Sequence, residues 1–164
     1  GICNGFQALV KSGLLPYGNF EDASGTSPTL FYNDANQHVA KMVETRIANT
    51  NSPWLAGVQV GDIHAIPVSH GEGKFVVTAE EFAELHDNGQ IFSQYVDFDG
   101  KPSMDSKYNP NGSVNAIEGI TSKNGQIIGK MGHSERYEDG LFQNIPGNKD
   151  QHLFASAVKY FTGK

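Results

Sequence analysis

The residues best suited to chemistry are a single cysteine near the start of the chain and a histidine–glutamate pair about 130 residues later. Cys3 lies between two glycines in the segment 1–5 (GICNG), a pattern typical of a nucleophile on a sharp turn between a strand and a helix. Glycines beside such a turn leave room for a strained backbone, so the side chain projects and the next backbone N–H can face a reacting carbonyl. The pattern therefore predicts a thiol nucleophile.

The second group of reactive residues is in the segment 132–136 (GHSER). If this segment is extended, His133 and Glu135 lie two residues apart on one face, so the carboxylate can orient the imidazole. A thiol, an imidazole base and an orienting acid form the minimal set for acyl transfer. A lone cysteine is more often a small buried apolar residue, but the glycines and the distant pair favour the nucleophile.

Four segments, in this order, resemble the triad-type (class I) glutamine amidotransferases. More narrowly, they resemble the glutaminase domain of formylglycinamidine ribonucleotide synthase, the fourth-step enzyme of purine biosynthesis. The segments are 1–9 with 13–16 (GICNGFQAL and GLLP), 67–74 (PVSHGEGK), 108–113 (YNPNGS) and 131–136 (MGHSER). The family usually has His-Pro-Glu-Arg where this chain has His-Ser-Glu-Arg. Losing the proline is expected to loosen the backbone without removing either reactive group.

The resemblance implies a role for each residue of the triad. Cys3 would attack the side-chain carboxamide of glutamine and release ammonia, and the γ-glutamyl thioester would then be hydrolysed to glutamate. His133 would act as the base and later protonate the leaving ammonia, while Glu135 would fix the imidazole tautomer. The backbone N–H of Asn4 would be one oxyanion donor. The helix N-terminus and His133 are both expected to favour the thiolate.

The resemblance also implies four glutamine-binding residues. Gln7 matches a family position that contacts glutamine, although it could equally be an ordinary solvated helix residue. Ser69, His70 and Gly71 match a loop that holds the α-amino and α-carboxylate groups, and exposed backbone donors in such a loop suit a carboxylate. The asparagine-rich segment 108–113 is expected to be a structural turn or a domain contact.

No cofactor or metal is expected in this chain. Three residues, His64, His70 and Glu72, have neither a cysteine nor a clear ligand spacing among them. The resemblance implies an overall ATP-dependent amidation of formylglycinamide ribonucleotide, with ATP and magnesium bound in a synthetase region. No phosphate-binding loop is visible here, consistent with that division. The expected partners are glutamine and the synthetase domain or subunit of the same enzyme.

The amino-acid composition indicates which binding partners and which cellular compartment fit the chain. Twelve basic and 18 acidic residues give a net charge of −6 without a basic cluster, which argues against nucleic acid and anionic membranes. One cysteine cannot form an internal disulfide, which fits a reducing compartment. No apolar run approaches the roughly 20 residues of a membrane span. These features together predict a cytoplasmic location.

The resemblance implies an α/β fold: a class I glutamine amidotransferase-like (flavodoxin-like) three-layer sandwich. Residues 1–164 would form the C-terminal half of that domain, beginning at the nucleophile elbow with the upstream strands missing. The sequence pattern predicts a loop at 17–38 and a helical turn at 53–55. It predicts helices at 4–12, 79–88 and after Asp150, and strands at 39–50, 63–68, 75–77, 90–97, 116–121 and 126–131.

Two alternative functions are compatible with the same residues. The elbow could serve another triad-type cysteine amidotransferase or hydrolase. The chain could also be a catalytically inactive interaction module that retains the residues without the complete fold, because an unpaired sheet edge invites association.

Overall fold

A computed structural model describes residues 1–20 and 28–163, so part of the predicted loop at 17–38 lies outside the described residues. The chain forms three α-helices and seven strands there, with 3₁₀ turns at Pro53–Leu55, Val114–Ala116 and Ser134–Arg136. In order, the elements are α1 (Asn4–Lys11), β1 (Thr29–Tyr32), β2 (Val39–Ile47), β3 (Ile63–His70), β4 (Glu72–Val76), α2 (Ala79–Asp87), β5 (Ile91–Tyr95), β6 (Ile117–Thr121), β7 (Ile128–Lys130) and α3 (Leu153–Thr162).

The strands form two sheets. Five of them pair antiparallel in the order β3-β2-β5-β6-β7, and β1 pairs antiparallel with β4 in a separate two-stranded sheet. Ile2 makes an isolated parallel bridge to Lys130 at the end of β7. The segment leading into Cys3 therefore lies against the edge of the larger sheet.

The core lies on both faces of that sheet. Ile91 and Phe92 are consecutive in β5 and point to opposite faces. Ile91 packs with buried residues of α1 and α2, whereas Phe92 packs with the 3₁₀ turn at 53–55 and with α3. The resulting helix–sheet–helix layering agrees with the predicted α/β sandwich.

Two local sequence signals predict a capping box before α2, from Thr78 and Glu81, and a hairpin at Asn124–Gly125, and the structure contains both the capping box and the hairpin. The Thr78 hydroxyl accepts from the backbone N–H of Glu81 (3.2 Å), and the Glu81 carboxylate accepts from the backbone N–H of Thr78 (2.8 Å). This reciprocal capping box starts α2. The Asn124–Gly125 pair lies in the connection between β6 and β7, where Gly125 adopts a φ of 71°, a left-handed conformation that favours glycine.

The glycine-rich composition of 69–73 also predicts a loop between two strands, and this loop and the one predicted at 17–38 are wrong in part. The segment 17–38 contains β1, and in 69–73 only Gly71 separates β3 from β4. Val39 pairs with His70 at the end of β3, and Tyr32 pairs with Glu72 at the start of β4. These partners are distant in sequence, so polar and glycine-rich composition alone indicated loops.

The interpretation of the last helix is wrong about its buried face. The spacing of Phe154, Val158 and Phe161 at i, i+4 and i+7 predicts a stripe that faces the core, but each of these side chains is about half exposed. The buried face instead consists of Leu153, Ser156 and Ala157. It lies close to Gly57, where a Cβ would come within 2.9 Å of the Ser156 hydroxyl. Asp150 does not cap α3; it accepts from the backbone N–H of His152, one residue before the helix. Within the described residues no helix has the length and apolarity needed to cross a bilayer.

Candidate active site

Cys3 lies on a strained turn, as the glycine-flanked pattern predicts. Its φ of 52° and ψ of −110° are outside the regions that non-glycine residues ordinarily adopt. The turn is held on the strand side, where the backbone N–H of Cys3 donates to the Lys130 carbonyl (2.8 Å), and on the helix side, where α1 begins at Asn4. Such strain persists only where the surrounding structure enforces it, and it is concentrated at functional sites.

The two glycines beside Cys3 differ in what they permit. A Cβ at Gly1 would lie 2.5 Å from the Gly5 carbonyl oxygen and 2.7 Å from Leu9, so the close approach of strand and helix requires glycine there. A Cβ at Gly5 would meet nothing within 4 Å. Of the two glycines beside Cys3, only Gly1 is therefore required for steric reasons within the part of the chain that the structure describes.

The Cys3 thiol is half-buried, and its sulfur lies 3.8 Å from the Ser69 carbonyl oxygen. Burial raises the pKa of the thiol, and Glu135 adds to the increase; the Asn4 backbone N–H and then the Arg136 charge act in the opposite direction. The Asn4 N–H at the start of α1 favours the thiolate, as expected, but the cost of burial exceeds this contribution and the pKa of the thiol is raised overall. Cys3 consequently needs a base to remove its proton.

His133 and Glu135 form a close pair, although not on a strand. His133 immediately precedes the 3₁₀ turn Ser134–Arg136, and Glu135 lies within it. The Nδ1 of His133 is 2.6 Å from the Oε1 of Glu135. This contact assigns the ring proton to Nδ1 and leaves Nε2 able to accept a proton. The Nε2 atom is buried and has no hydrogen-bond partner among the described residues.

Strand β3 brings the nucleophile and the base to the same part of the fold. The Cys3 thiol reaches the Ser69 carbonyl, and the His133 backbone N–H donates to the Pro67 carbonyl (2.8 Å). These two attachment points are two residues apart, about 7 Å along a strand.

The predicted glutamine-binding residues cluster at the β3–β4 turn. Gln7 is half-buried, and its amide lies 3.4 Å from both the backbone and the carboxylate oxygen of Glu72. The Ser69 hydroxyl lies 3.0 Å from the Nε2 of His38. Gly71 is the turn residue itself. The structure thus brings Gln7 to the turn formed by residues 69–71.

The His70 side chain points into the protein rather than toward a solvent-facing loop. It is 3% exposed, and its Nδ1 lies 3.1 Å from the Oδ1 of Asn33. The Asn33 amide already donates to the carbonyls of Gln37 and His70, so its oxygen accepts from the Nδ1–H of a neutral imidazole. Burial lowers the pKa of His70 to about 4. Any contact of His70 with a ligand therefore falls to its backbone.

The asparagine-rich segment at 108–113 is a structural turn, one of the two roles predicted for it. The Asn111 amide donates to the Gly73 carbonyl (2.7 Å) and to the Tyr95 hydroxyl (3.0 Å), while the Ser113 hydroxyl accepts from the Phe75 backbone N–H (3.0 Å). These buried contacts fix β4 beside the larger sheet.

Several residues around the site were missed in the sequence. Asn33 holds His70, and the exposed side chain of His38 contacts Ser69. Lys130 and Glu118 form a completely buried ion pair next to the 3₁₀ turn at 134–136. A lysine flanked by strand residues carries no local signal of burial, because its partner is 12 positions away on another strand. The described residues contain no group of three or more metal-ligating side chains.

Comparison with known proteins places this chain in a defined family. Residues 1–161 match the CobB/CobQ-like glutamine amidotransferase domain, and the chain belongs to that family. Among its relatives are the phosphoribosylformylglycinamidine synthase subunits PurQ of Thermomicrobium roseum, 40% identical over 158 residues, and of Gloeobacter violaceus, 34% identical over 158 residues. The matches cover 96% of this chain and 60% and 61% of those relatives.

A solved structure supports the same assignment. A chain in the structure of PurLQS from Thermotoga maritima superposes with a TM-score of 0.69 at 25% identity. The match covers 98% of this chain and 60% of that one. The predicted resemblance and fold class are thereby confirmed, and the chain spans about 60% of the length of these relatives.

Proposed function

We propose that this chain carries the glutaminase activity of a phosphoribosylformylglycinamidine synthase, supplying ammonia for the ATP-dependent amidation of formylglycinamide ribonucleotide. The proposal rests above all on one observation: a strained cysteine and an oriented histidine flank the same two-residue stretch of β3. The names of the relatives indicate the pathway, and the family indicates glutamine as the nitrogen donor.

In this proposal the Nε2 of His133 removes the thiol proton of Cys3 as the sulfur attacks the carboxamide carbon of glutamine. The tetrahedral oxyanion accepts from the backbone N–H of Asn4, a type of contact that lowers a barrier by about 3 kcal/mol. Collapse transfers the proton to the leaving ammonia and gives a γ-glutamyl thioester. Water, deprotonated by the same nitrogen, then releases glutamate and restores the thiol. Glu135 keeps the imidazole in the required tautomer.

The substrate would lie at the turn between β3 and β4. The backbone of residues 69–71 would hold the α-amino and α-carboxylate groups of glutamine, and the Gln7 amide would contact the ligand after leaving Glu72. The chemistry assigned to this chain uses only side chains and backbone. ATP and magnesium would be bound by the synthetase partner, and we place the whole reaction in the cytoplasm.

Replacing Cys3 in the complete enzyme tests this proposal. Cys3→Ala should abolish glutamine-dependent amidation and leave ammonia-dependent amidation at the wild-type rate, because only ammonia production needs the thiol. Both rates are measured on the same preparation with product quantified directly. Glutamine-dependent turnover by the variant, or loss of both activities in a folded enzyme, would overturn the division of labour.

A further inference from the structure

We infer that Lys130, paired with Glu118, is a positioning residue that sets the geometry of His133 and Glu135; this inference rests on the proposed function. Both side chains are completely buried, with Lys130 Nζ 3.3 Å from Glu118 Oε1. The pair is next to the reactive residues but is not a member of the proposed triad. Its contacts converge on the turn that carries them.

The pair contacts both residues that flank His133. Lys130 Nζ donates to the Gly132 carbonyl (3.2 Å) and to the Ser134 hydroxyl (2.8 Å). Glu118 Oε1 accepts from the Gly132 backbone N–H (2.7 Å). Two of these three hydrogen bonds hold the Gly132 backbone before His133, and the third holds the Ser134 side chain after it. Such charge-assisted bonds are stronger than neutral ones.

The same lysine also holds the nucleophile through its backbone. The Lys130 carbonyl accepts from the Cys3 N–H (2.8 Å), and the Lys130 N–H donates to the Gly1 carbonyl (3.1 Å). One residue consequently joins the elbow, through its main chain, to the turn bearing the base, through its side chain. A shift of Lys130 would change the separation of the thiol and the imidazole.

Ser134 completes the arrangement at the position where the resembling family has proline. Its hydroxyl accepts from Lys130 Nζ and donates to the Gln151 Oε1 (2.5 Å). A proline would restrain this first position of the 3₁₀ turn by fixing φ. Here hydrogen bonds to Lys130 and Gln151 supply the restraint instead, so the expected loosening of the backbone is offset by these contacts.

Fold stability alone gives little reason to bury this pair. Two charges buried in a protein lose their solvation by water, and their mutual attraction barely compensates for this loss. A pair of well-packed apolar residues commonly gives the same stability or more. Burial indeed lowers the pKa of Lys130, and Glu118 counteracts that effect. The turn lies directly on the pair, since a Cβ at Gly132 would be 2.9 Å from Glu118 Oε1 and 3.2 Å from Lys130 Nζ.

The test removes both charges together, so that no unpaired charge remains buried. In the complete enzyme, the double variant Lys130→Met/Glu118→Gln should lower kcat for glutamine hydrolysis about 10- to 100-fold with KM within about threefold, the effect of a misplaced catalytic group. The matched control is Lys123→Met/Glu84→Gln, which removes an exposed pair (2.9 Å) and should leave kcat unchanged.

A second readout does not require glutamine. The rate at which iodoacetamide alkylates Cys3 is followed from pH 5 to pH 10 in the wild type, the double variant and His133→Ala. The pH dependence of this alkylation rate in the double variant should resemble that of His133→Ala more than that of the wild type. Ser134→Ala, which keeps both buried charges, should lower kcat in the same direction by about 3- to 10-fold, and it provides the test if the double variant does not fold.

Wild-type kcat and a wild-type alkylation profile in a folded double variant would overturn the inference. Failure of the proposed function has a different signature. If the parent enzyme does not hydrolyse glutamine, but its alkylation profile still depends on both His133 and Lys130, the positioning role stands and the assignment of glutamine falls.

Discussion

At the scale of single residues, the site combines a thiol that is costly to ionise with a base held ready to receive its proton. Burial raises the pKa of Cys3, so most of the thiol is protonated at neutral pH. The 2.6 Å contact with Glu135 leaves Nε2 of His133 as the accepting nitrogen. In the proposed mechanism the attacking sulfur would therefore be generated by proton transfer to His133 during the reaction, because the thiol is not stored as a thiolate.

We expect glutamine hydrolysis to require the negative charge of Glu135 and not only the size and shape of its side chain. Glu135→Gln keeps a side chain of the same size but can present its NH₂ group to Nδ1, which disfavours the required tautomer. We expect kcat for glutamine hydrolysis to fall by about 10²- to 10⁴-fold, as in other triads that lose this carboxylate. Steady-state glutaminase assays measure the change.

Glu138→Gln is the matched control for this prediction. Glu138 is exposed and lies three residues beyond Glu135, so its replacement should change kcat by less than about twofold. Equal kcat in Glu135→Gln and Glu138→Gln would show that the carboxylate near His133 has no orienting role.

Residue types and spacing predicted the chemical groups better than their surroundings. Cys3 and His133 were identifiable because glycines and a His-x-Glu pattern lie beside them. The burial of the His70 side chain could not be identified from the sequence, because it depends on Asn33, a partner 37 positions away. The buried ion pair of Lys130 and Glu118 was not predicted for the same reason. Neither residue has a local sequence feature that distinguishes a buried charge from an exposed one.

At the scale of elements, the position of α1 depends on a glycine in β7. A Cβ at Gly129 would overlap the Phe6 ring and lie 2.5 Å from Leu15, so helix and strand meet without a side chain between them. Gly129→Ala should reduce the free energy of unfolding by about 1–3 kcal/mol, the usual cost of overpacking a core. Urea denaturation monitored by fluorescence measures this change.

Gly5→Ala is the control for overpacking on the same helix. Its Cβ would enter open space, and alanine favours a helix over glycine by about 1 kcal/mol. Its stability should therefore be unchanged or increased. Equal destabilisation by both variants would contradict the packing argument for Gly129.

Local signals predicted elements well where those signals were strong. The capping box of α2 and the Asn-Gly turn between β6 and β7 specify their own geometry. Strand β1 is stabilised by β4, whose residues pair with it across 40 positions or more, and this pairing has no local signal. The apolar stripe of α3 was visible, but periodicity does not reveal which helix face meets the core.

At the scale of the whole molecule, buried histidines make stability depend on pH. His70 is buried as a neutral imidazole, and its pKa is lowered from 6.5 to about 4, chiefly by burial. The unfolded chain binds this proton more readily, so the contribution is complete above pH 6.5 and is lost as the pH falls toward 4. From His70 alone, we expect a loss of about 3 kcal/mol over that window.

Urea denaturation of the wild type and His70→Gln at pH 7, 6, 5 and 4 measures this contribution. The pH dependence in that window should be weaker in His70→Gln, whatever its stability at pH 7. His86→Gln, which removes an exposed histidine, should retain the wild-type dependence. Parallel curves for wild type and His70→Gln would show that burial of His70 does not couple folding to protons.

The two core clusters on opposite faces of the sheet give the described chain a layered interior. Its relatives are longer, since the chain covers about 60% of their length. The α/β class followed from the motifs, whereas the antiparallel order β3-β2-β5-β6-β7 required the structure. Strand order depends on long-range pairing that composition and periodicity do not encode.

The measurement that tests the central claim most directly is intact mass after treating the complete enzyme with a glutamine-derived electrophile. Cys3 is the only cysteine of this chain, so one adduct located at Cys3 by peptide mapping, and absent from Cys3→Ala, is the predicted result. Prior addition of glutamine should slow its formation. An enzyme that remains unlabelled at Cys3, or that is labelled equally in Cys3→Ala, would contradict the assignment of Cys3 as the glutamine-attacking nucleophile.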